Sequence, residues 1–243
     1  MNIIKVDTCR STNGLLKEWA TQQSLEEGSI LVCKEQTAGR GQAGASWESE
    51  SGKNLTFSLI FYPEFLAIKN HFLLSKSIAL GVKTVLDDYT GNISIKWPND
   101  IYYKDKKIAG ILIENNIMGE VIVQSVAGIG VNINQEIFRS DAPNPVSLKQ
   151  ITGKETDLAM LLEQIAGSIL SFYKMLQEIE TELITLLYHQ ALYRKEGFFP
   201  YKDANGIFYA RIESVENDGF IHLINKEGEK RRYAFKEVSF TRE

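Results

Sequence analysis

The chain has 243 residues, 44% of them hydrophobic and 24% charged, with a formal net charge of −4. A chain of this length buries roughly 70–75% of its unfolded surface, so it needs no disulfide or metal staple to build a core. The mild negative charge argues against a dedicated nucleic-acid binder, no run of ~18 apolar residues supplies a membrane span, and the start MNIIKVDTCRSTN lacks the basic-then-apolar pattern of a signal peptide.

The N-terminal NIIKV alternates like a short strand. Ser11-Thr12-Asn13 offers N-cap residues before the amphipathic run LLKEWATQQ. SILVCKE (29–35) reads as the next strand. Cys9 and Cys33 form neither a CxxC nor a zinc spacing. A disulfide and a pair of reduced cytosolic thiols are both compatible with them, and the reduced pair is the expectation. From Gln36 to Lys53 the chain is rich in Gly and Ser and poor in apolar residues. Irregular segments of that length are uncommon unless they are functional or disordered.

NLTFSLIFYP (54–63) is a strong strand ended by proline. Residues 64–89 carry apolar side chains from Phe65 to Leu86 at three- and four-residue spacing and read as one long helix. ISIKW, DIYY, KIAGILIEN and EVIVQSVAGIGVNIN are β-rich, and the polar turn Lys104-Asp105-Lys106 closes DIYYKDKKIAGILIE into a hairpin. Residues 134–156 read as an irregular connection, and 157–193 as a second long helical stretch with one apolar stripe. Beyond it, GIFYARIESV, GFIHLIN and EKRRYAFKEVSF are short strands broken by Asn-Gly, Asp-Gly and Glu-Gly turns. This tail is expected to form a small β-barrel joined near residue 195. Helices and strands are partly segregated, without βαβ alternation throughout, so the fold class is α+β. The expected domains are 1–193 and 194–243.

Chemistry first shows in Gln36-Thr37-Ala38-Gly39-Arg40-Gly41-Gln42-Ala43-Gly44. Closely spaced glycines allow close backbone approach. Their N–H groups plus one arginine suit a phosphate or carboxylate; the same composition also fits a flexible surface loop. Ser51-Gly52-Lys53-Asn54 is not a P-loop, because Trp47 stands where its first glycine belongs and Asn54 replaces Ser/Thr. In Lys96-Trp97-Pro98-Asn99-Asp100 the proline breaks the strand and sets a lysine, an amide and a carboxylate on one corner. Such a corner can read a base or sugar or help hold Mg²⁺; a plain type I turn has the same composition. Lys107 enters the apolar run Ile108-Ala109-Gly110-Ile111-Leu112, aimed at a pocket or exposed at a hairpin corner. The glycines of Gly128-Ile129-Gly130-Val131-Asn132 admit a ligand, a bulge or a closely packed helix. No G-x-S-x-G and no catalytic Cys/His pair supplies a nucleophile.

Taken in order from Ser11 to Asn134, these segments resemble the catalytic core of the biotin protein ligases. The matching pieces are Ser-Thr-Asn, a Gly-Arg-Gly loop ending in tryptophan, Lys-Trp-Pro-Asn-Asp, Lys-hydrophobic-Ala-Gly-Ile, and Gly-hydrophobic-Asn. The tail is similar to their C-terminal barrel, so the resemblance spans nearly the whole chain. It implies a class II synthetase-like α+β catalytic domain, a mixed sheet flanked by helices, plus a small SH3-like β-barrel. It also implies a cytoplasmic, ATP-dependent, AMP-forming ligase. Such an enzyme makes biotinyl-5′-AMP and then transfers biotin to a lysine of a biotin carboxyl carrier protein or domain, for example that of acetyl-CoA carboxylase.

The resemblance assigns Ser11, Thr12, Asn13, Gln36, Gly39, Arg40, Trp47, Lys107, Gly110 and Gly128 to biotin. It assigns Arg40, Gln42, Lys96, Asn99, Asp100 and Asn132 to ATP, and the chemistry to Lys107, Arg40 and Asp100. Mg²⁺ is expected to arrive with ATP near Asp100, with no dedicated protein site. Nucleic acid and membrane are not expected partners, and monomer and homodimer both occur among such ligases. Departures stand out: Gln42 and Ala45 replace frequent arginines, Arg10 replaces a common aspartate, and the tail arginine falls at Arg242, one place late. A winged-helix DNA-binding domain precedes the core in some relatives; with only ten residues before Ser11, none is expected here. The alternatives are a lipoate or octanoyl ligase and a non-catalytic biotin-binding module. The Gly39-Arg40-Gly41 loop and the tail favour biotin over lipoate, and Asn99, Asp100 and Asn132 favour an enzyme over a module.

Overall fold

The computed structural model describes residues 2–140 and 144–241. Arg242, the late tail arginine, lies outside them. The chain begins with β1 (Ile3–Cys9), α1 (Thr12–Gln22), β2 (Ile30–Gln36), β3 (Leu55–Phe61) and α2 (Phe72–Thr90). There follow β4 (Ile93–Lys96), β5 (Asp100–Tyr103), β6 (Lys106–Met118) and β7 (Val121–Val131). The seven strands form one sheet in the order β1-β2-β3-β7-β6-β5-β4, mixed because β1 and β2 run parallel while the other pairs are antiparallel.

β3 is buried at every position, which is why it is largely apolar, with only Thr56 and Ser58 polar. Ile60 faces Leu16 of α1, together with Leu31 and Val126. Phe57, Leu59 and Phe61 face the main core under α2 and α4 (Leu158–Gln177). Gly81 of α2 meets α4 so closely that a Cβ there would lie 2.6 Å from Ile169 Cα.

Several expectations are corrected. Residues 64–71 are not α-helical and hold only a 3₁₀ turn at Ile68–Asn70: Ile68 N–H donates to Glu120 C=O and Ala67 bridges Val121, so this piece is held by the β6–β7 turn and α2 begins only at Phe72. The 134–156 connection contains a short helix, α3 (Leu148–Thr152), started by a capping box between Ser147 and Gln150. The helical stretch 157–193 is two helices, α4 and α5 (Thr181–Gln190), separated where Ile179 turns to φ 64°. A strand absent from the sequence reading, β8 (Phe199–Asp203), opens the tail, followed by β9 (Gly206–Val215), β10 (Ile221–Asn225), β11 (Lys230–Tyr233) and β12 (Ser239–Phe240).

The tail sheet runs β11-β10-β9-β8-β12 and does not close into the expected barrel. β12 is two residues long and pairs with β8 alone; a Phe235–Val238 bridge and hydrogen bonds between Ala234 and Glu237 span the turn between the two edge strands without joining them as a ladder. The hydrophobic core is continuous from Phe72, Trp97 and Tyr188 into Tyr201, Ile212 and Leu223 of this sheet. Cys9 and Cys33 are free, buried thiols. Burial first, then a hydrogen bond and the charge of Cys33, push the Cys9 thiol up to about 12. No helix among the described residues is long and apolar enough to cross a membrane.

Candidate active site

The strands β6 and β7 set Gly110 opposite Gly130 and Leu112 opposite Gly128, and Gly128 in turn faces Ser58 of β3. These residues form a shallow shelf on the α1 face of the sheet, and its missing side chains have definite occupants. A Cβ on Gly130 would lie 2.3 Å from Trp47 Cε2, one on Gly110 3.0 Å from Trp47 Cζ3, and one on Gly128 2.4 Å from Asn13 Oδ1. Two glycines therefore receive the indole and the third receives the start of α1.

Asn13 is buried and docks α1 onto the sheet. Its Nδ2 donates to Leu112 C=O (3.1 Å) and Glu114 Oε2 (2.8 Å), and its Oδ1 accepts from Ser58 Oγ (2.6 Å). Ser11 sits at the N-cap position but makes no side-chain cap, contrary to the expectation for Ser11-Thr12-Asn13. Gln36 at the end of β2 does that work: its Oε1 accepts from Thr12 N–H (2.8 Å) and lies 3.2 Å from Thr12 Oγ1. A cap borrowed from another strand has no local sequence signal.

The Gly-rich loop folds back on itself. Gly41 N–H donates to Ala45 C=O (2.6 Å), Trp47 N–H donates to Gly39 C=O (3.0 Å), and Arg40 bridges Ser46. Gly39 serves this turn and does not line the cavity; a Cβ there would meet Trp47 C=O at 2.6 Å. The Arg40 side chain is half exposed, its Nη2 3.4 Å from Glu114 Oε2, while Lys17 Nζ lies 2.9 Å from Glu114 Oε1. Burial raises the Glu114 carboxyl, but hydrogen bonds from Lys17 and Asn13 and the charges of Lys17 and Arg40 outweigh it and hold it below the usual carboxylate range.

On the other side, β4 ends at Lys96, whose Nζ is 2.9 Å from Tyr102 Oη and 5.3 Å from the Phe240 ring centre. Trp97 is buried and donates through Nε1 to Gly219 C=O of the tail (2.9 Å). Asn99 Nδ2 donates to Ile111 C=O (2.7 Å), and Ile111 N–H donates to Asn99 C=O (3.0 Å), which ties the corner to β6. Asp100 then faces Lys107, Oδ1 to Nζ 2.6 Å, with both side chains about one-fifth exposed (22% and 23%). The ammonium stands 5.7 Å from the Trp47 ring centre.

These groups surround one cavity of about 350 Å³. Of the residues singled out in the sequence, Ser11, Thr12, Asn13, Gln36, Arg40, Gln42, Trp47, Lys96, Asn99, Asp100, Lys107, Gly110 and Gly128 line it. Gly39 and Asn132 do not. Asn132 is buried behind the wall, its Nδ2 donating to Val146 C=O (3.3 Å) and its Oδ1 without a partner. Trp47 Nε1 and Gln42 Oε1 are likewise buried without a protein partner. The sequence reading missed Phe235 and Phe240, which close the cavity from the tail, and Ser58, which joins Thr12 to Asn13. An aromatic in an exposed-looking tail strand and a serine inside an apolar run carry no signal of their own. Among the described residues no group of three metal-ligating side chains occurs. Asp100 is the only carboxylate among the described lining residues.

The profile of the biotin/lipoate A/B protein ligase family matches residues 5–132. The chain is 29% identical over 242 residues to the bifunctional ligase/repressor BirA of Bacillus subtilis, covering 96% of this chain and 72% of that protein. It is 32% identical over 149 residues to the biotin--[acetyl-CoA-carboxylase] ligase of Paracoccus denitrificans, covering 58% of this chain and 61% of that protein. In structure it superposes on the biotin protein ligase from Aquifex aeolicus in complex with biotin and ATP with a TM-score of 0.83 and 26% identity, over 100% of this chain and 99% of the other.

Proposed function

We infer that this chain, which belongs to the biotin/lipoate A/B protein ligase family, is a biotin protein ligase. It condenses biotin with ATP to biotinyl-5′-AMP and pyrophosphate, then transfers biotin to a lysine of a biotin carboxyl carrier protein. The observation that carries the reading is the single cavity that joins the Thr12–Gln36 pair, the Trp47 indole on its glycine shelf, and the Lys107–Asp100 ion pair.

Biotin suits the shelf side. Its ureido ring needs both donors and acceptors, which Ser11, Thr12 and Gln36 supply, and its apolar body needs a flat wall, which Trp47 supplies. Its carboxylate would then reach Lys107. Adenylation moves negative charge between that carboxylate and the α-phosphate, so fixed cations are the main catalytic requirement. Lys107, held by Asp100, and Lys96 supply them, and Arg40 adds a third at the loop. The partnerless Trp47 Nε1 is a ready donor to the adenylate. Asn132, behind the wall, supports the site from outside the cavity, its Nδ2 donating to Val146 C=O. One carboxylate in the lining fits Mg²⁺ carried in on ATP phosphates, since that ion keeps several waters and takes few protein ligands; Asp100 would hold it, and it would neutralise the leaving pyrophosphate.

We assign the biotin and ATP site to a unit of residues 1–193 and a covering role to 194–243. The phenyl rings of Phe235 and Phe240 in the cavity lining support that covering role. We assign the enzyme to the cytoplasm, supported by its buried free thiols. The deciding experiment is biotin-dependent pyrophosphate release from ATP, run beside lipoate. Release with biotin and not with lipoate is expected. Release with lipoate alone would make it a lipoate ligase, and tight biotin binding without release would make it a binding module.

A further inference from the structure

A second cavity of about 320 Å³ adjoins the first, and Gln42, Pro98, Asn99, Ile111 and Phe235 form the wall between them. The two differ in charge. The first is lined by Arg40, Lys96 and Lys107. The second has no lysine or arginine among its described lining residues and one carboxylate, Asp218, whose side chain is 34% exposed. Its inner walls are apolar, with Phe72, Ile111 and Ile113. At the shared wall stands Gln42 Oε1, a buried acceptor with no protein donor.

Resting on the reading of this chain as a biotin ligase, we propose that the second cavity is the channel by which the acceptor lysine reaches the adenylate. A triphosphate would meet a carboxylate there and no lysine or arginine among the described lining residues, whereas an alkylammonium on a four-carbon stem suits that carboxylate and the apolar walls. Asp218 attracts the ammonium near solvent, although Arg232 already donates to it (2.9 Å). The apolar walls take the methylenes. Gln42 Oε1 accepts an N–H from the amine and leaves its lone pair facing the first cavity.

The lysine gives one proton to solvent before it attacks the carbonyl carbon of the mixed anhydride. The new C–N bond forms as the C–O bond to phosphate breaks, and the electron pair leaves on AMP. The amine's second proton goes to the phosphate of departing AMP or to water. Gln42, where relatives often carry arginine, is then suited to this step by being neutral: an arginine has no acceptor for an amine and would repel the incoming ammonium.

The test is Ser75→Phe, which fills the second cavity from α2 without touching the first, in the full chain. Biotin-dependent pyrophosphate exchange should stay within about twofold of the parent. Transfer to a biotin carboxyl carrier domain should fall about tenfold or more, since misplacing a nucleophile by an ångström carries that scale of penalty. Capture of the adenylate by hydroxylamine, small enough to enter elsewhere, should be unchanged. Asp218→Asn should raise KM for the carrier and leave KM for biotin and ATP alone. Unimpaired carrier transfer in both variants, or a parallel loss of pyrophosphate exchange, would overturn the channel. Absence of exchange in the parent would instead overturn the ligase reading itself.

Discussion

Lys107 Nζ lies 2.6 Å from Asp100 Oδ1 because β5 sets Asp100 opposite Gly110, and glycine leaves room for the lysine to reach back across it. A Cβ on Gly110 would sit 3.3 Å from Lys107 Cε. Lys107→Ala should remove the cation fixed where charge moves and lower adenylation by on the order of 10²–10³. Asp100→Asn should cost less, because the lysine remains but loses its anchor. Single-turnover formation of biotinyl-5′-AMP measures both. Near-normal rates in Lys107→Ala would make the pair a structural one.

Arg40 is tied to Glu114 at the edge of the loop. Arg40→Ala should free that edge and let biotinyl-5′-AMP leak. The expected signature is biotin on bystander lysines, for instance on serum albumin mixed with the enzyme. Retention equal to the parent would show that the loop does not hold the intermediate.

The loop from Gln36 to Lys53 is anchored at both ends, by Thr37 and Ala38 to Cys9 and Arg10 and by Glu48 and Glu50 to residues 135–140. Its tip from Gly39 to Trp47 is held by a few internal hydrogen bonds, and fixing each further residue costs roughly 1–2 kcal/mol in entropy. Ligand contacts should therefore order it in steps, partly with biotin and fully with biotin plus ATP. Amide hydrogen exchange over 36–53 should show protection rising across the free, biotin and biotin-plus-ATP states. Equal, strong protection in all three would make the loop a preformed wall.

Gly130→Ala puts a methyl 2.3 Å from Trp47 Cε2. The indole must move off its shelf, at a stability cost of about 1–3 kcal/mol typical of overpacking. Its contact with biotin should weaken, so KM for biotin should rise while the urea midpoint falls modestly. An unchanged biotin KM would place Trp47 outside the biotin contact.

Lys76 of α2 is fully buried and donates to Val215 C=O (2.9 Å) and Asn217 Oδ1 (2.9 Å), which fastens the tail sheet to the core. Burial lowers its pKa to about 8, against the opposing charge of Asp218. The unfolded chain holds this proton up to the ordinary lysine value of 10.5, so between the two pKa values it binds more protons than the folded protein. The lysine's contribution to stability is therefore complete above the upper value and is lost as pH falls through the lower one. Stability of the parent minus that of Lys76→Met should rise with pH between 8 and 10, by denaturant titration at several pH values. A difference flat in pH would show that burial does not lower the pKa of this lysine in the folded state.

The order of short motifs along the chain determined the family resemblance and nearly all of the cavity residues, because each motif needs a residue type that chemistry restricts: glycine for close approach, lysine for charge, proline for a corner. Periodicity determined most strands, and β3 in particular, since burial on both faces leaves mainly apolar side chains, with Thr56 and Ser58 hydrogen-bonded. What the sequence could not determine is anything set by partners far along the chain. The cap of α1 comes from Gln36, the helix after Pro63 is delayed by pairing with the β6–β7 turn, and α4 stops before α5 with no glycine or proline to announce it. Whether the tail closes depended on how many residues β12 could pair, and two were not enough. Asn132 and Gly39 carry family motifs yet stand behind the cavity wall, whereas Phe235 and Phe240 carry none and close it. Side-chain direction at a strand end and the docking of one sheet on another are decided by packing, and only the tertiary structure holds that information.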